Sequence, residues 1–228
     1  VSFALKDKFA KNAEEEAKAI ICHLDCAEGE GILYDSLYDD SFRGMLLQSI
    51  IKRKRICGKT GELLCYPEKK IKQSVSSDKL AGIPSQPLKA EQSNTSIIYD
   101  ERLYLKLYRR LGEGINPEAE IVKRLTETLD YPHIPHFAGA IELRRPHAEP
   151  ITIALLQHYA ANAGDAWTYT CDQVAEYFER VLVRRDELHQ IELELPTLLD
   201  FKSVHIPQVM YDLIGTMYLD MATLLGRR

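Results

Sequence analysis

The sequence predicts an α+β fold in which a mostly antiparallel sheet is crossed by one helix and followed by a helical stretch. Three observations predict it. Residues 95–108 and 132–159 carry short apolar runs rich in Ile, Leu and Tyr and broken by turn residues, the pattern of strands. Between them, "GINPEAEIVKRLTETL" reads as a loop entering a capped helix. Beyond about residue 170 the apolar spacing becomes helical. Regular alternation of strand and helix is missing, which argues against a doubly wound parallel sheet.

The totals bound the possibilities. A chain of 228 residues is long enough for one large domain or two small ones with a real core. The formal net charge of −5 argues against a general nucleic-acid binder. No apolar run approaches the roughly 20 residues that span a bilayer. The first residues lack the apolar core of a secretory signal and the chain begins without Met, so it reads as an excised piece. Five scattered cysteines, an odd number, suit free thiols in a cytoplasmic protein better than a disulfide scaffold.

Taken in order, residues 3 to about 24 read as a helix, on the run Glu14, Glu15, Glu16 followed by Ala17, Ala19, Ile20 and Ile21. "CAEGEG" is a turn. "DSFRGMLLQSIIKRKR" reads as an amphipathic helix with Phe42, Met45, Leu46, Ile50 and Ile51 near helical spacing. Its basic tail, Lys52 to Arg55, suits a helix C-terminus. "GKTGELLCYP" gives a turn and a strand. Residues 73–90, rich in Ser, Pro and Gly, read as an exposed connection with at most one short strand, and mark a subdomain boundary. "TSIIY", a tight turn at Asp100 and Glu101, and "LYLKLY" form a hairpin. In the helix that follows, Asn116 caps, Pro117 suits the first position, and Glu118 and Glu120 sit at the positive end. Ile121, Leu125 and Leu129 mark its apolar face. "YPHIPHFAGAIEL" and "PITIALLQHY" are two more strands. A helix over about 171–193 carries Val174, Tyr177, Val181 and Leu188 on one stripe, and another runs from about Pro207 to Leu225.

Several motifs carry no chemistry. "GKT" at 58–60 lacks the glycine that a phosphate loop needs five residues earlier, where Arg53 stands, and reads as a turn. The basic run 52–55 has no interleaved aromatics and reads as a helix end rather than a nucleic-acid patch. Cys22 and Cys26 have no second pair at zinc spacing. There is no nucleophile elbow.

Lys106 is different. It lies between Leu105 and Leu107, which point to the other side of the strand, and shares its face with Tyr104 and Tyr108. A solvated surface lysine is one reading. The other is the phosphate lysine of a kinase small lobe, which sits on the third strand and is held by a glutamate of the next helix. The hairpin carrying Lys106, the capped acidic helix within fifteen residues, and the apolar strand "IALLQ" favour the second. The preceding turn, "EQSNTS", has no glycine, but its small polar residues can aim amides and hydroxyls at phosphate.

The segments "EQSNTSIIY", "LKLYRRLGEGINPEAEIVKRLTE", "PHIPHFAGAIELRRPHAEPITIALLQ" and "GDAWTYT" resemble bacterial maltokinases, especially the maltokinase part fused behind trehalose synthase. "GILYDSLYDDSFRGMLLQSI" and "GKTGELLCY" resemble the N-terminal cap of that family. The resemblance spans about residues 30–225. It implies an aminoglycoside-phosphotransferase-like (protein-kinase-like) small lobe, with a cap subdomain at 1–88, the lobe itself at 89–160 and the start of a helical large lobe at 161–228. The implied activity is transfer of the ATP γ-phosphate, with Mg2+, to the anomeric hydroxyl of maltose, giving maltose 1-phosphate for α-glucan synthesis. Gln92, Ser93, Asn94, Thr95 and Ser96 would form the phosphate-facing loop and Lys106 would hold the phosphates. Glu120 would be the lysine's helix partner, with Glu118 as its competitor. Gln157, His158 and Tyr159 would form the hinge, with Gly164 and Asp165 just beyond it. Asp165 reads on its own as a helix cap.

The chain departs from the family where the chemistry is done. No segment resembles the catalytic-loop aspartate or the metal-binding aspartate that phosphoryl transfer uses, so no catalytic residue and no metal ligand is assigned. The piece is expected to be inactive by itself. "HYAANAGDAW" also replaces a bulkier segment before "GDAW". Two other readings stand beside this one: a non-catalytic docking or regulatory module attached to trehalose synthase, and a related sugar or aminoglycoside kinase. Maltose and a trehalose synthase domain are the expected partners, with neither nucleic acid nor membrane.

Overall fold

The computed structural model describes residues 1–6, 19–69, 82–88, 93–188 and 208–227. The chain divides into two compact units, Val1–Ala161 and Asn162–Arg228. Both sheets belong to the first unit, in the mixed α+β class the sequence predicts. Among the described residues no helix is long and apolar enough to cross a membrane.

The first unit opens with a three-stranded antiparallel sheet of β1 (Ser2–Leu5), β2 (Ile20–Cys26) and β3 (Gly29–Tyr34), ordered β1-β3-β2. The helix expected over residues 3–24 is thereby overturned at both ends; residues 7–18 lie outside the described set. The reason is pairing. Ile20 and Ile21 are β-branched, Gly29 turns the chain at φ 123°, and β3 offers a partner on each side. Tertiary pairing outweighs a helical composition. The Phe3 ring lies over Gly31, where a Cβ would stand 2.4 Å from it, so a larger residue there would push the half-exposed ring aside.

A short 3-10 turn (Ser36–Tyr38) leads into helix α1 (Asp40–Ile51). Asp39 caps it, accepting from the Ser41 amide and hydroxyl. The helix stops at Ile51 because Arg53 adopts the left-handed conformation, φ 54°, and returns its amide to Ile50. The expected basic helix tail is therefore not helical: Lys52 is the cap and Arg55 begins the next strand.

The larger sheet holds seven antiparallel strands in the order β4-β5-β9-β10-β8-β7-β6. They are β4 (Arg55–Cys57), β5 (Glu62–Pro67), β6 (Ser85–Pro87), β7 (Asn94–Tyr99), β8 (Leu103–Tyr108), β9 (Phe137–Arg144) and β10 (Ile151–His158). "GKTG" closes the β4–β5 hairpin, with the Gly58 amide donating to Gly61, so it is a turn between two strands. Asp100 and Glu101, at φ 50° and 51°, make the β7–β8 turn. Strands from both sides of residue 88 share this one sheet.

Two helices cover its two faces. On one, α1 presses Leu47, Ile50 and Ile51 onto Cys65, Ile97, Tyr99, Leu105, Ile141 and Leu156. On the other, helix α2 (Pro117–Glu127) packs over Phe137, Ala140, Leu155 and Tyr108. The sequence expects Ile121, Leu125 and Leu129 to face the core, but Ile121 and Leu129 are 55% and 61% exposed. The buried side is Ala119, Val122 and Thr126 instead. Thr126 bonds the Val122 carbonyl and accepts the Phe137 amide, which fixes that side to β9.

Among the described residues the second unit is helical. Asp165 caps α3 (Ala166–Val183), which is followed by α4 (Arg185–Leu188). The cap starts the helix five residues before the expected position 171, and residues 189–193 lie outside the described set. Tyr177, Val181 and Leu188 are half-buried as the stripe predicts, while Val174 is exposed. The helix expected over 207–225 is two, α5 (Gln208–Ile214) and α6 (Thr216–Arg227), broken at Gly215 with φ 93°. Arg180 donates to the Leu213 and Ile214 carbonyls and so closes the end of α5.

Candidate functional site

Lys106 is the centre of the site. It sits on β8 and faces α2, because Leu105 and Leu107 take the side packed under α1. The cross-strand partners of Lys106, Ser96 on β7 and Leu155 on β10, share its face, as do Tyr104 and its partner Gln157. Tyr108, two residues on, lies on this face as well.

Asn116 builds the other half. Its side chain accepts the Glu118 and Ala119 amides, and Pro117 fills the first helical position, so the first turn of α2 is held rigidly. This turn delivers Glu118 to Lys106. The ammonium donates to Oε1 at 3.0 Å and Oε2 at 2.9 Å, with the lysine side chain 22% exposed and the glutamate 40%. Glu118 Oε2 also accepts the Tyr108 hydroxyl at 2.9 Å. The Lys106 ammonium lies 5.8 Å from the centre of the Tyr108 ring.

Glu120 is not the partner. Successive helical residues are about 100° apart, so Glu118 and Glu120 flank the buried Ala119 on opposite sides. The strand lies on the Glu118 side, and Glu120 is exposed. The spacing of the two glutamates from Lys106 could not separate them; the direction of α2 across the sheet does.

The expected phosphate-facing residues are mostly strand. Asn94, Thr95 and Ser96 are buried in β7 and pair with Tyr108, Leu107 and Lys106. The strand starts at Asn94, one residue before the expected "TSIIY". Thr95 accepts from Arg109 Nε at 2.6 Å, and Ser96 accepts from the Tyr104 hydroxyl. Ser93 is exposed, just before β7, and its carbonyl takes the Arg109 amide. Gln92 lies outside the described residues.

The expected hinge residues end β10. Gln157 is buried and its amide reaches the Pro135 carbonyl at 3.4 Å. His158 donates its backbone amide to His136 and contacts Glu68 through Nε2 at 3.2 Å. The Tyr159 amide donates to the Arg102 carbonyl. The backbone donors of His158 and Tyr159 are thus both engaged, by carbonyls just before β9 and β8. Asp165 caps α3 through the Thr168 amide and hydroxyl, and those bonds hold its carboxyl below the usual aspartate range.

Arg109 is the residue that sequence reasoning overlooked. Besides Thr95 it reaches Asp35 at 3.2 Å, tying the end of β8 to the turn after β3. An open cleft of about 650 Å³ lined by Tyr38, Asp40, Arg43, Ser85, Asp100 and Glu101 shares no residue with the Lys106 group. The ion pair, rather than cavity size, defines the site. Among the described residues no three His, Cys, Asp or Glu side chains gather as a metal site.

Burial pushes the Tyr108 phenol well above its ordinary value, and the Glu118 charge adds to this. Burial does the same to Tyr99, and to Tyr66, whose hydroxyl also donates to Glu142. Unfolded tyrosine titrates near about 10. The protonated phenol is favoured in the fold, so above that pH the folded chain binds more protons than the unfolded one. The stability these three phenols contribute is therefore complete below about pH 10 and falls as pH rises from there toward the folded values, by at most about 1.4 kcal/mol per pH unit for each tyrosine. Urea midpoints are expected to fall progressively as pH rises above about 10. Tyrosinate absorbance that rises fully near pH 10 in the folded protein, with no loss of midpoint, contradicts this.

No known protein-family model matches the chain.

Proposed function

We propose that the chain is the ATP-positioning part of a carbohydrate kinase of the maltokinase kind, working beside trehalose synthase. The whole enzyme moves the γ-phosphoryl group of Mg-ATP to the anomeric hydroxyl of maltose, leaving ADP and maltose 1-phosphate. One observation carries the nucleotide half of this reading. A lysine on the third strand of the run β6-β7-β8 is bonded to a glutamate of the next helix at 2.9 and 3.0 Å. In protein kinases that pairing aligns the lysine on the α- and β-phosphates.

The donor set fits a phosphate. An ammonium has three donors, and Glu118 takes two of those of Lys106, leaving one for a phosphate oxygen. Ser93, exposed just before β7, is the phosphate-facing candidate among the described residues, in place of the strand residues 94–96. The acceptor sugar follows from the sequence resemblance. No catalytic base and no Mg2+ ligand is assigned among the described residues.

Isothermal titration of the chain with Mg-ATP tests the reading. Saturable heat of binding is expected. Absence of nucleotide binding up to millimolar concentration, together with binding to a trehalose synthase domain, would instead select the docking module.

A further inference from the structure

We infer that Tyr108 is the positioning residue of the Lys106–Glu118 pair, its hydroxyl holding the carboxylate on the ammonium before any ligand arrives. Its consequence for nucleotide binding rests on the reading above; its effect on the pair does not.

The pair has a weakness that Tyr108 removes. Glu118 is 40% exposed, and both it and Lys106 carry long side chains with several rotatable bonds to order. An ion pair between such groups is weak, because ordering them offsets much of the attraction. Tyr108 has no such freedom. Its ring is packed with Ala119, Phe137, Ala140 and Leu155, and the residue is 9% exposed. A buried phenol requires an acceptor, and the acceptor is Glu118 Oε2, the same oxygen that Lys106 approaches at 2.9 Å. The carboxylate is thus gripped from the sheet by a rigid donor and from the helix by its own capped first turn. The face of the Tyr108 ring lies 5.8 Å from the ammonium and favours a cation there. A tyrosine two residues after the lysine on one strand therefore turns a loose pair into a fixed one.

A merely packed tyrosine predicts something different. Tyr108→Phe keeps the ring and deletes the hydroxyl. In the wild-type chain the Lys106 ammonium protons are expected to exchange slowly enough to give a nitrogen-correlated NMR signal, which Tyr108→Phe broadens beyond detection, as Glu118→Gln does. Mg-ATP affinity is expected to fall about ten-fold, the scale of one hydrogen bond to a charged acceptor. In the Glu118→Gln background the same change is expected to add nothing. If Tyr108→Phe does not fold, Glu118→Asp replaces it: the carboxylate, one methylene shorter, can no longer meet both partners, and the signal is again expected to vanish. A Lys106 signal unchanged in whichever of these variants folds, or fully additive effects of Tyr108→Phe and Glu118→Gln, overturns the inference. If the wild-type chain binds no Mg-ATP, the nucleotide reading falls, and the ammonium signal alone decides the role of Tyr108.

Discussion

Lys106→Met is expected to weaken Mg-ATP binding about 100-fold, the loss of about 3 kcal/mol when charge-assisted contacts to phosphate disappear. Methionine keeps the length and the apolar stem, so β8 and its neighbours should pack as before. The charge is what goes. Glu118 then faces the ligand with Tyr108 as its remaining bonded partner, and an unpaired carboxylate beside a polyphosphate adds repulsion to the missing attraction. Glu118→Gln is expected to act in the same direction but more weakly, since the lysine stays charged. Glu120→Gln supplies the control: that side chain is exposed on the other flank of α2, and affinity should stay within about two-fold. Titration calorimetry on the three variants separates the outcomes. A Lys106→Met chain that binds Mg-ATP as well as wild type removes the lysine from the nucleotide site, and equal losses from Glu118→Gln and Glu120→Gln remove the specific pair.

How much of this was legible in the sequence depended on whether the deciding information was local. The hairpin 94–108, the capped start of α2 and strands β9 and β10 were readable because strand propensity, the Asp100–Glu101 turn and the Asn116–Pro117 cap all act within a few residues. Lys106 stood out for the same reason. What failed was long-range. Residues 20–26 became a strand only because β3 lies beside them, and α1 lost its basic tail because Arg53 turned left-handed to start a hairpin. The choice of Glu118 over Glu120, and of Ala119 and Val122 over Ile121 and Leu129 as the buried face of α2, follows from the direction in which the helix crosses the sheet. A single periodicity gives two acceptable faces there. Ser96 lies in the strand that "TSIIY" predicts and pairs with Lys106, whereas the resemblance puts it in the phosphate-facing loop.

Arg43 is the plainest case of a residue whose importance only the fold reveals, and Arg43→Met is expected to destabilise the first unit by about 3 kcal/mol. In sequence it is one charge in an amphipathic helix. In the structure it is 4% exposed, and its guanidinium serves three separate segments. Nη1 donates to the Leu37 carbonyl at 2.7 Å, Nε to the Ser85 hydroxyl at 2.9 Å, and Nη2 to the Ser85 carbonyl at 2.9 Å and to Asp40. Its own carbonyl accepts the hydroxyl of buried Tyr99. Methionine fills much of the volume but leaves the Leu37 carbonyl and both Ser85 oxygens short of a donor, and each such group costs about 1–3 kcal/mol where water cannot replace it. Asp40 is solvated and should contribute little to the loss. The damage should also be directional. Ser85 begins β6, the edge strand, and pairs with Tyr99 of β7, so loosening Ser85 frees that edge of the sheet first. Hydrogen exchange is therefore expected to accelerate first at β6 and the paired amides of Ile97 to Tyr99, while β9 and β10 stay protected. A urea midpoint within experimental error of wild type, or exchange that accelerates evenly across the sheet, would show that Arg43 is a buried bystander rather than the tie between α1 and the edge strand.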